Sequence, residues 1–201
     1  MLGLPRSTEM NRPLSKKAIF DKFKPKTADR RRFDSEIRRL ALVHEVSPAT
    51  VNIASGKNVA TFYVVLVSLR EPECDTRNLT LLAKLIPQNM LFVLEHERMV
   101  QLAVFRAGRI VQSSWKLRNE WDITLAGLNL DAVWENTISQ IGGVVVAEGR
   151  TLDEQLALDA EQDKLRRQIE RLEKQAWNEK QPRQKWNLAE RISSLKSKLK
   201  Q

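Results

Sequence analysis

"VNIASGKNVATFYVVLVSL", residues 51–69, sets a Gly-Lys pair beside a dense run of β-branched and aromatic residues. A Walker-type phosphate loop would place Gly-Lys-Ser/Thr at the opening of a helix, whose free N–H groups hold the phosphates. Here Asn58 follows Lys57, and Val51 stands where the first glycine of that motif belongs. The run "VATFYVVLVSL" is too rich in β-branched residues for a helix start and reads as a strand. Gly and Asn tolerate positive φ, so residues 55–58 are predicted to turn a first strand, "TVNIA", into this second one. The nucleotide-enzyme reading falls with the motif.

Working outward, "CDTRNLTLLAKLI" reads as a helix ending near Pro87. "NMLFVLE", "MVQLAVFR" and "RIVQSSWKL" are three strands joined by short polar or Ala-Gly turns, hence antiparallel neighbours. In "NLDAVWENTISQIGG", Leu130, Val133, Trp134, Ile138 and Ile141 share one helical face, and Gly142-Gly143 can stop the helix. Upstream, after a Pro-bearing leader, "SKKAIFDKF" and "TADRRRFDSEIRRLALVHEV" both read as helical, with a break at Pro25. Phe33, Ile37, Leu40 and Ala41 give the second of these an apolar stripe. Downstream, Thr151 and Glu154 match a capping box. Leu158, Gln162, Leu165, Ile169, Leu172 and Ala176 then follow heptad spacing, and Leu188, Ile192, Leu195 and Leu199 resume it beyond Pro182. Two seams across so short a break predict an antiparallel, coiled-coil-like hairpin. The expectation is an α+β protein: a mainly antiparallel sheet with helices covering one side, in three regions, 1–46, 47–149 and 150–201.

At 201 residues the chain is long enough for one well-buried domain and an appendage. The single cysteine, Cys74, excludes an intramolecular disulfide and a cysteine-rich zinc site. No apolar run is long enough to span a bilayer, and the leader lacks a signal-peptide core, so a soluble cytoplasmic protein is expected. The charge of +9 is uneven: residues 1–40 hold 12 Lys/Arg against 5 Asp/Glu, 41–150 hold 10 against 11, and 151–201 hold 12 against 9. Basic ends on a nearly neutral body point to a polyanion or acidic partner.

The candidate nucleic-acid contacts are Lys16, Lys17, Lys22, Lys24, Lys26, Arg30, Arg31, Arg32, Arg38 and Arg39, which could track a phosphate backbone without reading sequence. The bland alternative is a solvated face partly neutralised by Asp21, Asp29, Asp34 and Glu36. Trp115, beside Lys116 and Arg118, adds an aromatic that could equally pack in the core. Trp177, Lys180, Arg183, Lys185 and Trp186 bracket the hairpin tip and are the candidate partner contacts, since Trp and Arg dominate interface hot spots. The bland alternative is that the two indoles close the hairpin end against each other. A sheet-based nuclease would need converging carboxylates and usually a lysine on Mg²⁺. Glu73, Asp75, Glu95 and Glu97 are the nearest approach, without a Glu-x-Lys. No catalytic residues, metal ligands or cofactor are assigned. Cys74, between two acids, is a poor nucleophile candidate.

The chain resembles an uncharacterised bacterial family known as domain of unknown function 4391. The resemblance rests on "LGLPRSTEMNRPLSKKAIFDKF", "NIASGKNV", "IPQNMLFVLE", "LDAVWENTISQI" and "EKQPRQKWNLAERISSLKSKL", in that order. Pro182 departs from the family's pattern, where a helix-compatible residue is expected. The resemblance implies a small component encoded beside remodeller-like helicases and DNA methyltransferases in anti-phage defence loci, and with it a role in a restriction-like complex on DNA; it supplies no catalytic residues. The expectation is therefore a non-enzymatic adaptor of a restriction-like complex. It would contact nucleic acid through its basic helices and a helicase or methyltransferase through its hairpin, where homo-oligomers could also form. The alternative is a metal-dependent nuclease subunit whose carboxylates meet only in space.

Overall fold

The computed structural model describes residues 2–199, which fall into two compact units, Met1–Val145 and Val146–Gln201. In the first unit the strands are β1 (Glu9–Leu14), β2 (Ile37–Val46), β3 (Phe62–Leu69), β4 (Asn89–His96), β5 (Met99–Arg106), β6 (Arg109–Gln112) and β7 (Lys116–Leu117). Its helices are α1 (Lys16–Phe23), α2 (Thr27–Glu36), α3 (Pro48–Val51), α4 (Thr76–Leu85) and α5 (Leu130–Gly142). The strands form one sheet in the order β1-β2-β3-β4-β5-β6, with β7 also on β5. All neighbours are antiparallel except β3 and β4, which run parallel. A parallel step cannot be closed by a hairpin, and α4 lies in the crossover that makes it.

Side-chain alternation shows which face each helix covers. Val65, Val67 and Leu69 of β3 and Phe92 and Leu94 of β4 share one core with Ile19 and Phe20 of α1, Phe33 of α2, and Leu79 and Leu82 of α4. The alternate residues, Phe62, Val64, Leu91 and Val93, are equally buried and face the other way. There the Phe62 ring meets Trp134 of α5 with centroids 4.8 Å apart. The sheet is therefore covered on both faces, not one, which explains why β3 and β4 read as continuous hydrophobic runs.

The α+β class holds, as do β3, β4, β5, α1, α4 and α5 at the predicted places. All five apolar residues expected on one face of α5 are buried, and Gly143 ends that helix in the left-handed conformation. Other elements differ. The helix expected through residue 46 stops at Glu36, and Ile37–Val46 is β2, paired along its length with β3. The leader contributes β1, an edge strand, where the missing N–H of Pro13 is tolerated. Residues 1–46 thus supply two sheet strands and belong to the first unit. "TVNIA" is not a strand: Pro48–Val51 is a helical turn, with Ser47 and Thr50 forming its capping box. "RIVQSSWKL" is interrupted at residues 113–115, where the Ser113 hydroxyl accepts the Leu102 N–H that a continuous ladder would use, and the strand resumes as β7.

The second unit is a helical hairpin, α6 (Leu152–Asn178) and α7 (Pro182–Leu199). The Thr151–Glu154 capping box opens α6 as predicted. Ile169, Leu172 and Ile192 are buried together, with Ala176, Leu188, Leu195 and Leu199 packed around them. Lys196 and Glu173 bridge the helices at 2.8 Å. Pro182 begins α7, where its lacking N–H costs nothing, so the departure from the family pattern is compatible with the last helix.

Candidate functional site

The Gly56-Lys57 loop does cradle an anion, and the anion is the protein's own. The backbone N–H groups of Lys57, Asn58 and Val59 donate to the Asp131 carboxylate at 2.7–3.2 Å. Asp131 lies in the first turn of α5, whose N-cap is Asn129. A Cβ on Gly56 would lie 2.2 Å from Asp131 Oδ1, so glycine is what lets the loop close on the carboxylate. Desolvation pushes the Asp131 pKa up, but the three N–H groups and Arg106 more than offset it and hold the carboxyl below its ordinary value. The loop ties the entry to β3 to the start of α5.

The ten basic candidates divide by what they touch. Lys16 bonds Asp34 at 3.0 Å and donates to the Ile37 carbonyl at 2.7 Å. Arg32 donates to Asp29 at 2.9 Å and to the buried Asn78 at 3.1 Å. Glu36 in turn accepts the Asp75 N–H and the Asn78 amide, so α2 is clamped to the N-terminus of α4. Lys16 and Arg32 are thus structural. The same contacts engage Asp29, Asp34 and Glu36, of which Asp34 stays exposed, while Asp21 is exposed and remains to neutralise part of the face. Lys17, Lys22, Lys24, Lys26, Arg30, Arg31, Arg38 and Arg39 are all exposed. Arg30 lies over the Phe20 ring and Lys22 over the Phe23 ring, each 5.1 Å from the centroid. Apart from the i,i+3 pair of Arg32 with Asp29, these clamps join residues far apart in the chain, so the sequence could not reveal the division.

The acidic candidates do not converge on one another. Asp75 caps α4 and binds the Arg77 guanidinium, which depresses its pKa. Glu95, at the end of β4, ion-pairs with Arg118. Glu97 sits in the two-residue turn between β4 and β5 with φ 53°, and Glu73 is exposed. Among the described residues, no three His, Cys, Asp or Glu side chains form a group that could hold a metal ion. Burial, then the charges of Glu36 and Asp75, push the Cys74 thiol up to about 12. Trp115 packs against the core on the α1–α2–α4 side. Lys116 instead lies over Trp121, 4.6 Å from its centroid. His44, not singled out by the sequence, is buried with Nδ1 2.9 Å from the Thr8 hydroxyl. That hydroxyl donates its proton to the Pro5 carbonyl, so Nδ1 carries the hydrogen between them.

At the hairpin tip, Trp177 is 85% exposed and Trp186 is 65% exposed. Indoles closing the end against each other would be far less accessible. Trp177 flanks a groove with Glu173, Ala176, Lys185 and Ala189, and Trp186 is not part of it. Lys180, Arg183 and Lys185 are exposed beside them.

A mixed, doubly covered sheet in one unit and a helical hairpin with an aromatic, basic tip in the other define an α+β protein without an evident catalytic constellation among its described residues. The chain belongs to the family described as Domain of unknown function (DUF4391), whose model matches residues 2–199. Comparison with curated proteins and with solved structures finds no match. No helix among the described residues is long and apolar enough to cross a membrane.

Proposed function

We propose that this protein is a non-enzymatic adaptor of a bacterial restriction-like or anti-phage defence complex. Its N-terminal helices contact a nucleic-acid backbone, and its C-terminal hairpin docks a larger helicase or DNA methyltransferase. The observation that carries the reading is the exposure of Trp177 and Trp186 on either side of Lys180, Arg183 and Lys185. Two large indoles left in water on a short hairpin favour burial against a partner, because burying such rings recovers apolar area at a low entropic cost. The eight outward cations of residues 17–39 support the backbone contact, since they outnumber the nearby acids and three of the four, Asp29, Asp34 and Glu36, are engaged with Arg32, Lys16 and α4.

Co-expression with the helicase or methyltransferase encoded beside the gene tests the docking half. A tagged wild-type chain is expected to retain the partner through purification. Trp177→Ala with Trp186→Ala is expected to lose it while the far-UV CD spectrum is unchanged. Retention by the double variant at wild-type yield would refute the assignment of the tip.

A further inference from the structure

The two flanks of the hairpin differ in chemistry. The flank beside Trp177 combines small side chains, Ala176, Ala189, Ser193 and Ser197, with the charged Glu173, Lys185 and Lys196, and Lys196 is paired with Glu173 across the helices. The opposite flank is a groove of about 920 Å³ with only one large aliphatic side chain, Leu188, in its lining. There Arg167, Arg171 and Lys174 follow one another at four- and three-residue spacing, a single stripe on α6. The amides of Gln175, Asn178, Gln184 and Asn187 complete it from both helices.

We infer that this amide-rich flank is a second nucleic-acid contact, one that lies along the phosphate backbone. Guanidinium, ammonium and carboxamide groups all donate to phosphate oxygens, and together they hold a backbone without reading bases. The core of a protein interface gathers aromatic and aliphatic side chains, whereas Leu188 is the single one in this lining. From Arg167 to Asn178 the stripe spans roughly 16 Å of helix, long enough for several successive phosphates. Two acids share the groove, and one of them offsets a cation, which leaves Arg167 and Arg171 as the positive charges without an acidic partner among the described residues. Glu170 pairs with Lys174 at 3.2 Å, and Glu179 accepts the Gln181 N–H. Arg171 makes no ion pair among the described residues, and Arg167 uses only its Nε, on the Asp163 carbonyl. The inference rests on the nucleic-acid half of the proposed function and adds a site in the second unit.

The test is fluorescence anisotropy of a labelled 20-base-pair DNA duplex, and of one of its strands, with the full chain across a salt series. Two variants are compared with wild type: Arg167→Gln, Arg171→Gln and Lys174→Gln together, and Lys17→Gln, Arg30→Gln and Arg31→Gln together. Glutamine is a good helix former, so CD should confirm intact helices in both. The hairpin triple is expected to lower the slope of log K against log salt by about 1–2, for the phosphate contacts of the two unpaired arginines. An unchanged slope in the hairpin triple with a reduced slope in the N-terminal triple would overturn this inference and leave the proposed function standing. Loss of helicase or methyltransferase retention without any change in DNA affinity would overturn it too, by making the flank a protein-docking surface. Absence of DNA binding by wild type at low salt would overturn both.

Discussion

The Asp131 carboxylate occupies the space that a side chain on Gly56 would need: a Cβ there would stand 2.2 Å from Oδ1 and 2.6 Å from the Asp131 backbone nitrogen. The backbone N–H groups of the three residues after Gly56 converge on that carboxylate, so loop and helix are fitted to each other. Gly56→Ala is expected to destabilise the protein by about 1–3 kcal/mol through overpacking. In an Asp131→Ala background the same change should cost less, because the carboxylate clash is gone and only the one with the backbone nitrogen of residue 131 remains. A double-mutant cycle in urea that returned simple additivity would show that the two positions do not meet.

Acid should weaken the fold in two stages. Burial holds the His44 pKa below its ordinary 6.5, so the unfolded chain takes up the proton first. Stability contributed by neutral His44 is complete above about pH 6.5 and is lost as pH falls toward the folded pKa. Asp75 and Asp131 have folded pKa values below their ordinary 3.8. Their contribution is intact above about pH 4 and is lost as pH falls further. Urea midpoints measured from pH 8 to pH 5 should decline for wild type and decline less for His44→Gln. Parallel curves would mean that His44 titrates normally.

Cys74 should resist thiol reagents in the native protein. With its pKa raised to about 12, almost no thiolate exists at pH 8, and nucleophilic attack needs the thiolate. Labelling by a disulfide reagent is expected to be slow in buffer and complete within minutes in guanidinium chloride. Equal rates in the two conditions would contradict the burial.

Arg31 and Arg32 are neighbours in sequence and should behave oppositely. Arg32→Ala removes the donor to Asn78 and the partner of Asp29, and is expected to cost about 1–3 kcal/mol. Arg31→Ala, at an exposed position, should change stability by no more than about 0.5 kcal/mol while weakening DNA binding and lowering its salt slope by about 1. Thermal melts and anisotropy on the two variants decide it; an inverted pattern would move the contact surface off this helix.

Within the hairpin, Ile192→Ala should cost about 2–4 kcal/mol in the cooperative unit that contains it, since Ile192 is buried with Ile169 and Leu172. Hydrogen exchange resolved to α6 and α7 would show the loss there. Unchanged protection would mean that the seam does not hold the helices together.

Local chemistry alone placed much of this molecule. The run of residues 62–69 could only be a strand, the apolar face of α5 ended at a glycine pair, and Thr151 with Glu154 announced α6. The second half of the first seam, Ile169, Leu172 and Ala176, packs with Leu188, Ile192, Leu195 and Leu199, whereas Leu158, Gln162 and Leu165 lie outside that cluster. Each of these signals lies within one element, where periodicity and capping are written in consecutive residues. What the sequence could not give depended on distant partners. Ile37–Val46 carries a helix-compatible stripe, and pairing with β3 on one side and β1 on the other made it a strand. The parallel junction of β3 with β4, and the burial of both sheet faces, followed from how the crossover packs. The sites divide in the same way. That the termini were basic could be counted, but which cations are bound inward and which face water depended on Asp34 meeting Lys16 and Asn78 meeting Arg32 across the fold. The Gly-Lys turn was legible as a turn, and only the approach of Asp131, more than seventy residues away, showed which anion it holds. Propensity acts over neighbours in the chain, while pairing and charge compensation act over neighbours in space, and only folding brings the second kind together.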